Sequence, residues 1–171
     1  MTNIVNKLRG GDRRSIGRSD EVAEEISADP KLFAQVLAAM LDTNPVVRMR
    51  AADAIEKASV LNPKLLQPHK HTILKKIAAI EQQEVRWHIA QILPRLQLAP
   101  KERDHAVAIL FDYLQDKSSI VKTFAMQALA DLAQSDSRLQ KRIVPMLEFL
   151  AANGTAAMRA RGRKLLAILR L

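Results

Sequence analysis

The chain has 171 residues, 48% apolar and 26% charged, which is long and apolar enough for a folded domain with its own core and too apolar for a disordered one. It contains no cysteine, which excludes a disulfide framework, a thiolate metal site and a cysteine nucleophile. The net charge is +9, a value that first suggests a polyanionic partner.

Only five Gly, seven Pro and 4% aromatic residues occur, so turn and strand formers are scarce and the chain is predicted to be all-α. Residues 1–29 match no regular pattern and are expected to form an irregular N-terminal cap. Gly10-Gly11 and Gly17 lie within it, and a cap helix is expected over Asp20–Ile26. Asp29-Pro30 is an N-cap followed by a first-turn proline, which predicts a helix over Lys31–Leu41. A second helix follows through Val47 and Ala58, and Asn62-Pro63 opens the connection to a third over His69–Ile80. The apolar spacing through Val85 and Leu96 gives the next helix, and Pro100 opens Lys101–Leu114. Val121 to Leu132, Leu139–Ala151 with a bend expected at Pro145, and Met158 to Leu169 complete the series.

The second helix of each pair repeats. Val47-Arg48-Met49-Arg50-Ala51-Ala52 aligns with the segments that begin at Val85, Val121 and Met158, whose starts are 38, 36 and 37 positions apart. Positions four, seven, eight and eleven after each start are apolar or small, which is one face of an α-helix. One residue after each start stands a cation: Arg48, Arg86, Lys122 and Arg159. A helix pair of this length cannot bury its apolar stripe alone, whereas stacked pairs bury a continuous core. The expected fold is therefore a right-handed α-solenoid of about four antiparallel helix pairs, spanning 30–61, 62–99, 100–136 and 137–171 of one domain, behind the N-terminal cap.

These columns resemble the HEAT repeat, an armadillo-like helical family. The resemblance rests on an Asp near the turn, on the Val-Arg pair, on runs such as Arg50-Ala51-Ala52-Asp53-Ala54-Ile55, and on Pro145 in a first helix. It covers residues 30–169. It implies a curved stack with second helices on the concave side and an Asp–Arg ladder between repeats, to which Asp42 with Arg48 and Asp116 with Lys122 correspond. Ile80 takes the acidic position in the second unit, so that rung is expected to be lost. In the fourth unit Gly162 and Arg163 replace apolar equivalents, as expected of a capping repeat.

The stripe facing away from the predicted core contains Arg50, Trp87, His88, Gln91, Phe124, Gln127, Arg161 and Lys164, and the resemblance implies that it lines the concave face. Trp, Arg and Phe dominate binding hot spots, so these eight are the candidate partner-binding residues. For Trp87 and Phe124, packing between repeats is the competing reading. For Arg50, Arg161 and Lys164 it is a solvated face. The cation one residue after each start recurs in every unit and reads as a lattice contact.

The excess charge lies at the ends, with +3 over residues 1–20 and +5 over residues 155–171, against +1 for everything between. A chain that wraps a polyanion is expected to spread its charge along the binding face, and this one does not. His69 and His71 point in different directions on a helix. Neither a phosphate-binding glycine loop nor a Gly-x-Ser-x-Gly elbow occurs. No catalytic residue, cofactor or metal is expected. The leading expectation is a non-catalytic scaffold that binds another protein. The alternative is DNA or RNA backbone binding through the basic termini, including the alkylated-base repair of HEAT-like DNA glycosylases. No apolar run reaches the roughly 18 residues of a membrane span, and residues 1–14 have no signal-like apolar stretch. A cytoplasmic location, with no membrane partner, is expected.

Overall fold

Short polar side chains set the helix starts, and their oxygens satisfy main-chain N–H groups that the helix itself leaves unpaired. Asn44 accepts from the N–H of Val46 at 2.9 Å, Asp136 from Leu139 at 2.9 Å and Thr155 from Met158 at 3.4 Å. Glu102 reaches back to the N–H of Ala99 at 2.8 Å, the one half of a capping box open to a helix preceded by alanine. The structure is a computed structural model that describes residues 3–170; within them the regular elements are all helical. Among the described residues no helix is long and apolar enough to cross a membrane.

The chain divides into two compact units, one up to Gln97 and one from Leu98 onward. The first contains α1 (Ser19–Ala28), α2 (Phe33–Ala39), α3 (Pro45–Leu61), α4 (Lys70–Thr72) and α5 (Gln83–Ile92). Its central element is α3, which packs against α1, α2 and α5. Ala51, Ala54, Ile55 and Ala58 of α3 are buried as expected, and Met49, Arg50 and Asp53, outside its apolar stripe, are buried as well. The helix expected over His69–Ile80 follows a 3-10 stretch (Pro63–His69) and is divided into the single turn of α4 and a π-helical stretch (Ile73–Ile77). Pro68 has no N–H to donate and its ring crowds the preceding turn, so regular α-helix starts only after it. Pro94 acts similarly at the end of α5, where Leu93–Arg95 tightens to 3-10.

The second unit contains α6 (Pro100–Tyr113), α7 (Ser119–Ala133), α8 (Ser137–Asn153) and α9 (Ala156–Leu169), with α7 packed on α6, α8 and α9. Its expected core positions Ala125, Ala128, Leu129, Leu132, Leu165 and Leu166 are buried. Buried Gly162 lets α8 and α9 approach closely, since a Cβ there would stand 2.9 Å from that of Ala151. Arg163 is exposed.

Three of the four repeating cations donate to main-chain carbonyls of the turn before their helix. Arg48 Nη1 donates to the main-chain carbonyls of Asp42 (2.9 Å) and Thr43 (3.1 Å), and its Nε donates to the side chain of Gln82. Arg86 likewise donates to the carbonyl of Ile80 at 3.3 Å, and Arg159 to that of Gly154 at 2.8 Å. The Asp column also builds the turn: Asp42 accepts from the N–H of Asn44 and Asp116 from that of Ser118, both at 2.8 Å. The expected Asp42–Arg48 side-chain rung is therefore corrected to a side-chain-to-main-chain bond. Ile80 costs the second pair no rung, because every residue type supplies a carbonyl.

Candidate functional site

The eight residues expected on one stripe fall four in each unit, and each set is described by itself. In the second unit Gln127 and Arg161 are bonded to each other, with Arg161 Nη1 donating to Gln127 Oε1 at 2.8 Å. Gln127 Nε2 in turn donates to Asp131 at 2.8 Å. These two side chains link α7 to α9. Phe124 is half-buried and Lys164 is exposed. A crevice of about 300 Å³ elsewhere in this unit is lined by Arg103, Asp136, Arg138 and Arg142, among others. Arg103 is held there by Asp136 and by the carbonyl of Leu132, so this cation is already paired.

In the first unit Arg50 does not face outward as expected. It is 3% exposed, and its guanidinium fills a ring of main-chain carbonyls. It donates to Gly10 (2.6 Å), Leu8 (3.1 Å), Ser15 (3.2 Å), Arg9 (3.3 Å) and Asp12 (3.3 Å). The irregular N-terminal segment winds around this one side chain. Gly10, Gly11 and Gly17 all have positive φ there, and a Cβ on Gly17 would lie 2.6 Å from Arg50 Cζ. Three glycines in a glycine-poor helical chain were the sequence's signal of this close approach.

Where that segment crosses α3 and α5 it leaves a cavity of about 240 Å³. Arg13, Arg14, Ser15 and Ile16 line it from the segment, Met49, Arg50 and Asp53 from α3, and Glu84, Trp87 and His88 from α5. The spacing of Glu84, Trp87 and His88, three and four residues apart on a helix, brings all three to one side of α5. Trp87 is half-buried, and its ring lies 5.6 Å from that of His88. Gln91 points its amide back to the carbonyl of Trp87.

Asp53 is 8% exposed, and its Oδ2 accepts from Ser19 Oγ at 2.6 Å and Lys57 Nζ at 2.7 Å. Glu84 and His88 are different. Glu84 Oε2 and His88 Nδ1 are buried without a hydrogen-bond partner among the described residues. Burial pushes the His88 imidazole below its ordinary pKa, against the opposing pull of the Asp53 carboxylate. His88 Nε2 lies 3.8 Å from Asp53 Oδ1, which favours the proton on that nitrogen and leaves Nδ1 an acceptor. The cavity thus presents two unsatisfied acceptors and an indole.

Sequence reasoning placed Arg50, Trp87 and His88 on one stripe of eight residues and missed Glu84 and Arg13. Glu84 could have been found from its i,i+4 relation to His88. Arg13 could not, because its segment has no periodicity. Among the described residues no group of three or more His, Asp and Glu side chains is placed to hold a metal ion. No family model, no curated protein and no solved structure matches the chain.

Proposed function

We propose that the chain is a HEAT-like α-solenoid of stacked helix pairs that works as a non-catalytic protein-interaction module. The observation that carries this reading is the cavity of the first unit, where a half-buried Trp87 stands beside buried acceptors that the protein's own groups leave unsatisfied. Rigid aromatic area next to a shaped polar pocket is the usual composition of a binding hot spot. The solenoid part of the proposal is supported by the roughly regular repeat spacing, by the packing of α3 between α1 and α5 and of α9 on α7, and by carbonyl capping at Arg48, Arg86 and Arg159.

The test is a binding scan of Trp87→Ala and Phe124→Ala against a protein partner recovered by cross-linking to the wild-type chain and then purified. Loss of a hot-spot aromatic weakens binding by about 30-fold or more. A partner that binds both variants as tightly as wild type rules out the proposed surface.

A second reading, nucleic-acid backbone binding, is favoured by one observation: Arg163 and Lys164 are exposed on α9 within the basic 155–171 stretch. Binding to duplex DNA that weakens steeply with added salt supports it, and weak, salt-insensitive binding eliminates it.

A further inference from the structure

We propose that the cavity beside Trp87 receives an arginine side chain from the partner protein, a proposal that deepens the interaction-module reading and rests on it. The Glu84 side chain is 9% exposed, and its buried Oε2 accepts no hydrogen bond among the described residues. His88 Nδ1 is in the same condition. Buried acceptors without donors are costly, so a guest that satisfies both is favoured and must itself be a donor. Arg13, Arg14 and Arg50 also line the cavity, but Arg13 and Arg14 are exposed and Arg50 is committed to main-chain carbonyls; an anionic guest therefore still meets the buried Glu84 carboxylate, and an apolar guest leaves both acceptors unsatisfied.

Arginine fits this combination better than lysine. Its guanidinium is a planar fork with five N–H groups, able to donate to a carboxylate and to a second acceptor while one face lies on an aromatic ring. Glu84, His88 and Trp87 supply those three features from one side of α5. The protein also carries a weak version of the same contact. Arg13 Nη1 comes within 3.9 Å of Glu84 Oε2, too far for a hydrogen bond, and the Arg13 side chain is 55% exposed. Arg13 is therefore an internal competitor that a better-seated guanidinium displaces.

Trp87 is the only tryptophan in the sequence, so its fluorescence reports on this cavity directly. The full chain is titrated with N-acetyl-arginine amide and, separately, with the matching citrulline amide, which keeps the shape and loses the charge. The arginine probe is expected to change Trp87 fluorescence saturably and the citrulline probe is not. Glu84→Gln, its fold checked by circular dichroism, is expected to raise the dissociation constant about tenfold by removing a charge-assisted bond. Arg13→Ala is expected to lower it about threefold by removing a weak surface competitor.

No saturable response in wild type or in Arg13→Ala overturns the proposal. So does an equal response to citrulline, which tests the wild-type chain even if Glu84→Gln does not fold. A protein partner lost with Trp87→Ala but retained by folded Glu84→Gln removes the arginine pocket and leaves the module reading intact. A positive arginine titration with a partner indifferent to Trp87→Ala does the reverse.

Discussion

Replacing Arg50 with methionine keeps the aliphatic stem and removes the guanidinium that organises the N-terminal segment. Five carbonyls, at 2.6 to 3.3 Å, lose their donor. A hydrogen bond to a charged group contributes about 1.5–3 kcal/mol, but the five do not add. Residues 9–18 are exposed, so water reaches their carbonyls once they are released, and the desolvation cost of the buried charge is relieved at the same time. What remains is the worth of one or two charge-assisted bonds, about 3 kcal/mol. Urea unfolding followed by Trp87 fluorescence reports the first unit. With a slope of about 2 kcal/mol per molar, the midpoint should fall by about 1.5 M. Release of the segment should also speed trypsin cleavage after Arg13 and Arg14. A midpoint shift below about 0.3 M with unchanged cleavage would refute the idea that Arg50 holds the segment in place.

Gly17→Ala places a methyl group against the Arg50 guanidinium at a φ of +57°, and is expected to destabilise the first unit by about 1–3 kcal/mol. In a background of Arg50→Met most of that loss should vanish, which a double-mutant cycle in urea measures. Arg48→Met is expected to cost about 1–2 kcal/mol through its lost main-chain bonds, while Ile80→Asp stays within about 0.5 kcal/mol because Arg86 uses a carbonyl; thermal melts of both variants decide it. Stability should also decline in two pH windows. Hydrogen bonds from Arg18 and then Lys7 hold the Glu21 carboxyl at about 2, below its ordinary 4.5. That contribution is complete above 4.5 and disappears as pH falls towards 2, so Glu21→Gln should flatten this limb of a stability–pH curve. His88 is depressed by burial, so the unfolded chain takes up its proton first and stability falls as pH drops below 6.5; His88→Gln should remove that slope.

Much of the helical framework was legible because a helix repeats its burial every 3.6 residues, and the same apolar columns recur at Val47, Val85, Val121 and Met158. The core faces of α3, α5, α7 and α9 follow from that periodicity, and the helix starts follow from capping residues such as Asn44 and Thr155. The helix expected over His69–Ile80 leaves regular α-helical winding at Ile73–Ile77, a π-helical stretch that apolar spacing does not signal.

The fate of the outward-facing residues was decided by tertiary structure. Arg50 and Lys164 read alike on their helices, yet one is 3% exposed and the other lies in solvent. The difference is a non-helical segment that folds back over α3 and carries no periodic signal of where it will land. The same segment closes the cavity at Glu84, Trp87 and His88. Periodicity along a chain encodes which side of a helix is buried against its neighbours. It does not encode which polar side chains an aperiodic segment will cover, because that depends on contacts between residues some forty positions apart.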